Sequence, residues 1–167
     1  MKIKDILAKN EPTLSFEVFP PKTEDKYESV EKAASEIAKL NPAFMSVTYG
    51  AGGGTSQYTV DIAASLKAKG VTPLAHLTCV SSTREKVHSV LDQLKAQGIE
   101  NVLALRGDIP KDGKIENDYR YASELIAEIK ASGDFCIGAA CYPEGHVESA
   151  NLSLIHISEP TRRVVIS

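Results

Sequence analysis

A carboxylate set inside an apolar run is the first residue with chemical potential. Glu17 sits in Ser15-Phe16-Glu17-Val18-Phe19, where a charge is costly unless it is paired, hydrated or protonated. An apolar pocket would raise its pKa and make it a general acid; a lysine such as Lys22 would make it half of a structural ion pair. Val47-Thr48-Tyr49 then runs into Gly50, Ala51, Gly52, Gly53 and Gly54, a segment that allows close backbone approach to a planar or anionic ligand, or simply a tight turn. His76, in Ala75-His76-Leu77-Thr78-Cys79, reads as a core histidine or a ligand contact. No second histidine or cysteine stands at metal-ligand spacing, so no metal is expected. Arg106-Gly107-Asp108 offers a fixed positive charge, a residue without a side chain and a hydrogen-bond acceptor. The same triplet reads as an adhesion motif, which a secreted protein would use. Tyr142 can stack on a ring and His146 can reach a phosphate, or both can serve as packing and surface residues.

The elements that must position these groups recur regularly. Apolar runs suited to buried strands fall at residues 14–19, 44–48, 72–77, 102–105 and 135–140, about 30 residues apart, the size of a strand with its crossover helix. Tyr27, Val30, Ala34 and Ile37 form one helical stripe between them, and Val87, Val90, Leu91 and Leu94 a cleaner one. Ser82 with Glu85 has the spacing of a capping box; Asn41-Pro42, Gly70, Gly98 and Gly133 stand where helices should stop. Residues 1–11 read as a short amphipathic lead-in helix. Strands alternating with helices require parallel pairing, in a doubly wound sheet or a barrel. A nucleotide-binding doubly wound sheet would carry its glycine fingerprint after the first strand, where Phe19-Pro20-Pro21-Lys22 stands instead, so the fold class expected is α/β, a (β/α)8 TIM barrel. A whole barrel needs eight units and about 250 residues, so about five strands describe a partial one. All the candidate groups lie at or just after strand ends, where such barrels place their chemistry.

Composition narrows the function classes. The 167 residues are 43% hydrophobic and 25% charged, with a formal net charge of −3, which suits a folded domain and speaks against a nucleic-acid or anionic-membrane binder. Cys79, Cys136 and Cys141 are too few and too scattered for a disulfide framework, and neither a signal peptide nor a membrane span is legible. A cytoplasmic protein is expected, which weighs against the adhesion reading. Residues 152–162, LSLIHISEPTR, resemble a translated transposase-type sequencing adaptor, so 152–167 are expected to be a non-native tail, and His156, Glu159, Arg162 and Arg163 are not recruited to any site.

Taken in order, SFEVFPPK, SVTYGAGGGT, AHLTC, ALRGD and CYPEGH resemble the methylenetetrahydrofolate reductase family, over nearly all of residues 13–151. The resemblance implies the N-terminal portion of a single barrel domain, residues 1–151, that binds FAD at its carboxyl-end mouth. It implies reduction of the flavin by NADH or NADPH and then reduction of methylene-tetrahydrofolate to methyl-tetrahydrofolate, in a homo-oligomeric parent. Residue by residue, Glu17 matches the general acid and Thr48 the nicotinamide contact. Tyr49, Ala51 and His76 match positions lining FAD, as do Arg106, Gly107 and Asp108, with Asp108 beside both flavin and folate. Tyr121 and Ala122 match a cofactor-side helix start, and Tyr142 and His146 the ribityl and phosphate surroundings. The family's later cofactor-holding helix and folate-binding strands have no counterpart in this sequence, so the chain alone is expected to be inactive. Another flavin- or phosphate-binding barrel enzyme is the alternative.

Overall fold

The computed structural model describes residues 1–49, 56–109 and 118–140. In chain order these form α1 (Ile3–Leu7), β1 (Ser15–Val18), a 3-10 turn (Glu24–Lys26), α2 (Tyr27–Ala38), β2 (Phe44–Val47), α3 (Ser56–Ala68), β3 (Pro73–Thr78), α4 (Arg84–Ala96), β4 (Asn101–Leu105), α5 (Ala122–Ser132) and β5 (Cys136–Ala139). The strands make one parallel sheet in the order β1-β2-β3-β4-β5. A doubly wound sheet reverses its strand order at a switch point; this order never reverses, and the arrangement is that of a partial TIM barrel.

Side-chain alternation divides the sheet into two faces. Val18, Met45, Val47, Ala75, Leu77, Cys79, Val102 and Ala104 turn outward and join one core with the buried faces of α2 to α5. The expected stripe of α4 is buried in full, and Ala34 of α2 is buried with Tyr27, Val30 and Ile37 packed around it. Phe44, Leu74 and Leu103 turn to the inner face, where Ile3 and Ile6 of α1 cover them. Asn101, fully buried at the start of β4, fastens this cover. Its Oδ1 accepts from the Ile3 N–H at 2.8 Å, and its Nδ2 donates to the carbonyls of Met1 (3.0 Å) and Pro73 (3.2 Å).

Helix boundaries refine the sequence reading. The N-cap of α4 is Thr83, whose hydroxyl accepts from the Lys86 N–H at 3.2 Å, and not Ser82. Ser82 is buried, its N–H spent on the Cys79 carbonyl in the turn that leaves β3. Asn41, Gly70 and Gly98 take positive φ and end their helices in the expected way, whereas Gly133 is extended.

Candidate active site at the carboxyl ends of the strands

β1, β2 and β3 bring three polar side chains together on the inner face. Glu17 and Ser46 are register partners, and the Ser46 hydroxyl donates to Glu17 Oε2 at 3.2 Å. His76 Nε2 lies 3.7 Å from the same oxygen. The apolar pocket expected around Glu17 is not what surrounds it: the side chain is 39% exposed and its neighbours are polar. The reason is the pleat, which sends Phe16 and Val18 to the outer core and leaves Glu17 facing inward. No lysine pairs with it among the described residues, so the expected alternative of a Lys22 bridge is not found either.

His76 is buried, and its Nε2 has no hydrogen-bond partner among the described residues. Burial pushes the imidazole below its ordinary pKa, with the Glu17 carboxylate pulling the other way. A satisfied core histidine would have both ring nitrogens hydrogen-bonded; here Nε2 is not, with Glu17 Oε2 beyond bonding distance at 3.7 Å.

The strand ends beyond are tied to one another through backbone. The Thr48 N–H donates to the Val18 carbonyl at 2.9 Å, carrying β1–β2 pairing past β2, and the buried Thr59 hydroxyl donates to the Thr48 carbonyl at 2.9 Å. Thr48 and Tyr49 are half-buried there. The Arg106 carbonyl accepts from the N–H groups of Cys79 (3.2 Å) and Val80 (2.8 Å). The Cys79 thiol lies 3.8 Å from both the Arg106 and the Tyr121 carbonyls, linking the ends of β3 and β4 to the start of α5. Burial raises that thiol to about 11, so it is protonated at neutral pH.

Gly107 has φ +85, and a Cβ there would stand 3.0 Å from Thr78 Cβ. Glycine meets both demands, and its missing side chain lets the turn after β4 pack closely on Thr78 and Val80. A triplet bound this tightly to β3 is not the free loop an adhesion motif requires. Asp108 is exposed at the rim.

Tyr121 precedes α5 and is exposed, its ring beneath the Arg120 guanidinium at 5.3 Å, while Ala122 is half-buried. Glu124 accepts from the N–H groups of Tyr121 (2.8 Å) and Arg120 (2.6 Å), which hold its carboxyl below the ordinary value. Arg84 secures the approach to this helix: its N–H donates to Asp118 Oδ2 at 2.8 Å, its guanidinium pairs with Glu128, and it lies 5.1 Å over the ring of buried Tyr119.

The structure therefore brings Glu17 and His76 together, ties Thr48 to β1 and α3, and separately ties Arg106 and Tyr121 to the end of β3, with Gly107 packed on Thr78. Ala51, Tyr142 and His146 lie outside the described residues. Ser46 escaped the sequence reading, although a serine inside the apolar run of β2, in step with Glu17, was the signal that could have found it. Among the described residues no group of histidine, cysteine, aspartate and glutamate could hold a metal ion. No described helix is long and apolar enough to cross a membrane.

The family model for methylenetetrahydrofolate reductase matches residues 2–159. The chain belongs to the methylenetetrahydrofolate reductase family. Among curated proteins it is similar to the 5,10-methylenetetrahydrofolate reductase of Pectobacterium carotovorum, 38% identical over 86% of this chain and 49% of that one. The methylenetetrahydrofolate reductase (NADH) 1 of Arabidopsis thaliana is 38% identical over 87% of this chain and 26% of the plant protein. Methylenetetrahydrofolate reductase 2 of Schizosaccharomyces pombe is 37% identical over 89% and 25%. The chain spans about half the length of the bacterial relatives and about a quarter of the plant and yeast ones. The family match continues past Asn151 into the segment set apart as a tail.

Proposed function

We propose that the whole protein reduces methylene-tetrahydrofolate to methyl-tetrahydrofolate with NADH or NADPH through bound FAD, and that this chain carries the acid side of the site. The observation that carries the reading is the approach of Glu17 Oε2 to within 3.7 Å of His76 Nε2, a buried nitrogen with no hydrogen bond among the described residues, in a chain of this family. One feature of the residues present fits a polar cofactor: the buried His76 Nε2 makes no hydrogen bond among the described residues.

Tyr49, Ala51, His76, Arg106, Gly107, Asp108, Tyr121, Ala122, Tyr142 and His146 would hold FAD, and Thr48 would meet the nicotinamide. When bound, a flavin supplies hydride acceptance from the nicotinamide and hydride delivery to the folate. Arg106 contributes a permanent positive charge for an anionic portion of a ligand. Asp108, exposed at the rim, is placed to accept hydrogen bonds from a heterocycle. Glu17 gives a proton to the departing folate nitrogen: the carbon–nitrogen bond breaks, its electron pair stays on that nitrogen, and the carbon is left electrophilic. A cytoplasmic location, a homo-oligomeric assembly and a single barrel domain over residues 1–151, with 152–167 outside it, complete the proposal.

Glu17→Gln in the chain extended to the length of its bacterial relatives tests this reading. Flavin reduction by the nicotinamide needs no proton from Glu17, so it persists, while folate reduction falls about 100- to 10,000-fold. Stopped-flow flavin absorbance separates the two steps. Equal loss of both with FAD retained, or folate reduction near the parent rate, would remove Glu17 from acid catalysis; a protein that binds no flavin would remove the cofactor assignment.

A further inference from the structure

Every residue of β2 is buried, and Ser46 is the one polar side chain in it. A hydroxyl in that position costs free energy unless it is hydrogen-bonded, and its bond crosses to the carboxylate of the neighbouring strand. Both contacts of Glu17, from Ser46 Oγ and from His76 Nε2, fall on Oε2. Serine has one side-chain torsion and sits on a central strand, so it is a stiff anchor for a longer, partly exposed carboxylate.

We propose that Ser46 is the positioning residue for Glu17, holding it by Oε2 against His76 so that Oε1 is the oxygen that carries the proton to the substrate. The role of Oε1 rests on reading Glu17 as the acid; the holding of Oε2 does not. The arrangement serves both protonation states. With Glu17 ionised, the Ser46 hydrogen stabilises the charge on Oε2; with the proton on Oε1, Oε2 is a carbonyl oxygen and still accepts that hydrogen. The carboxyl group can thus load and release its proton without turning over. A carboxylate without this anchor would average over its rotamers, and part of the transition-state geometry would be lost.

The titration of His76 reads the holding directly, with no flavin or substrate needed. Glu17 is the charged group that acts on His76; β2 and β4 present neutral Ser46, Thr48 and Leu103 on the same face. In the 167-residue chain, proton–carbon NMR of the His76 imidazole should titrate lower in Glu17→Gln, because the carboxylate's upward pull is gone. Ser46→Ala should move His76 in the same direction by a smaller amount, since the released carboxylate spends less time beside the ring. In the Glu17→Gln background, Ser46→Ala should add nothing, the mark of an effect that passes through Glu17. The proposal is overturned if Ser46→Ala leaves His76 unmoved or raises it, if it acts equally in the Glu17→Gln background, or if Glu17→Gln itself leaves His76 unmoved. A merely structural Ser46 would lower the melting temperature and spare the titration. Persistent folate reduction by Glu17→Gln in the extended protein would defeat the acid reading without altering the titration, so the two failures are distinguishable.

Discussion

One face of one sheet carries two unlike surfaces. Toward the amino ends of the strands it is apolar and closed, with Phe44, Leu74 and the mid-strand Leu103 under Ile3 and Ile6 and the polar Asn101 engaged on three sides. A single pleat further along the same strands, Phe44 gives way to Ser46 and Leu74 to His76; these are as buried as the residues before them but polar, beside the partly exposed Glu17, and His76 Nε2 has no hydrogen bond among the described residues. Strand pairing is the same at both ends, so the difference is one of side chains alone. The lower half is given over to burial; the upper half keeps a buried imidazole nitrogen without a hydrogen bond, at a cost to stability.

The sharpest way to break this contrast is to truncate the closed half. Leu74→Ala should cost about 2–5 kcal/mol, the usual range for removing a buried leucine, because β-strands on both sides and α1 beneath limit collapse into the cavity. Urea unfolding measures it. A loss under about 1 kcal/mol would mean that α1 does not seal the face.

A smaller effect is expected at the rim. Gly107→Ala places a Cβ at positive φ and against Thr78, for a cost of about 1–3 kcal/mol. Calorimetry checks the stability, and flavin retention in the extended protein should suffer more than the unfolding temperature does. An alanine variant of unchanged stability would show that this backbone is not held in the left-handed region.

The smallest expected change comes from the open half. His76→Leu removes an imidazole whose Nε2 is buried without a partner, so stability near neutral pH should change by no more than about 1 kcal/mol, in contrast to Leu74→Ala. The pH dependence gives the sign. Burial lowers the folded pKa of His76 below the ordinary 6.5, so as pH falls through that value the unfolded chain takes up the proton first and folding weakens. His76→Leu should flatten this acid-side loss. A variant that loses stability at neutral pH and keeps the same acid slope would make His76 a structural residue.

The sequence foretold these two surfaces unequally. All five strands lie within one residue of their expected bounds, since period-2 and period-3.6 patterns report directly on which side chains are buried. The buried stripe of α4 was equally plain. Ser82 and Thr83 both cap well in isolation, and only the turn out of β3, which uses the Ser82 N–H, decides between them. Glu17 was legible as chemistry, but its surroundings were not: neighbours in sequence, Phe16 and Val18, point away from it, and its true neighbours come from strands 29 residues and more away. The cover supplied by α1 was hidden for the same reason. Ile3 and Ile6 show an amphipathic helix, while the face they close is assembled from β2, β3 and β4.

The fastening of α1 also bears on the order of assembly. Because the strands lie in sequence order, each strand and helix can dock on its predecessor as soon as it is made, through contacts of short reach. The amino-terminal segment is an exception: Asn101 joins Ile3 and Met1 across 98 and 100 residues, and Lys2 pairs with Asp134 across 132. The first helix can rest on Phe44 and Leu74 before β4 is made, but its fastening through Asn101 is complete only once β4 has joined the sheet.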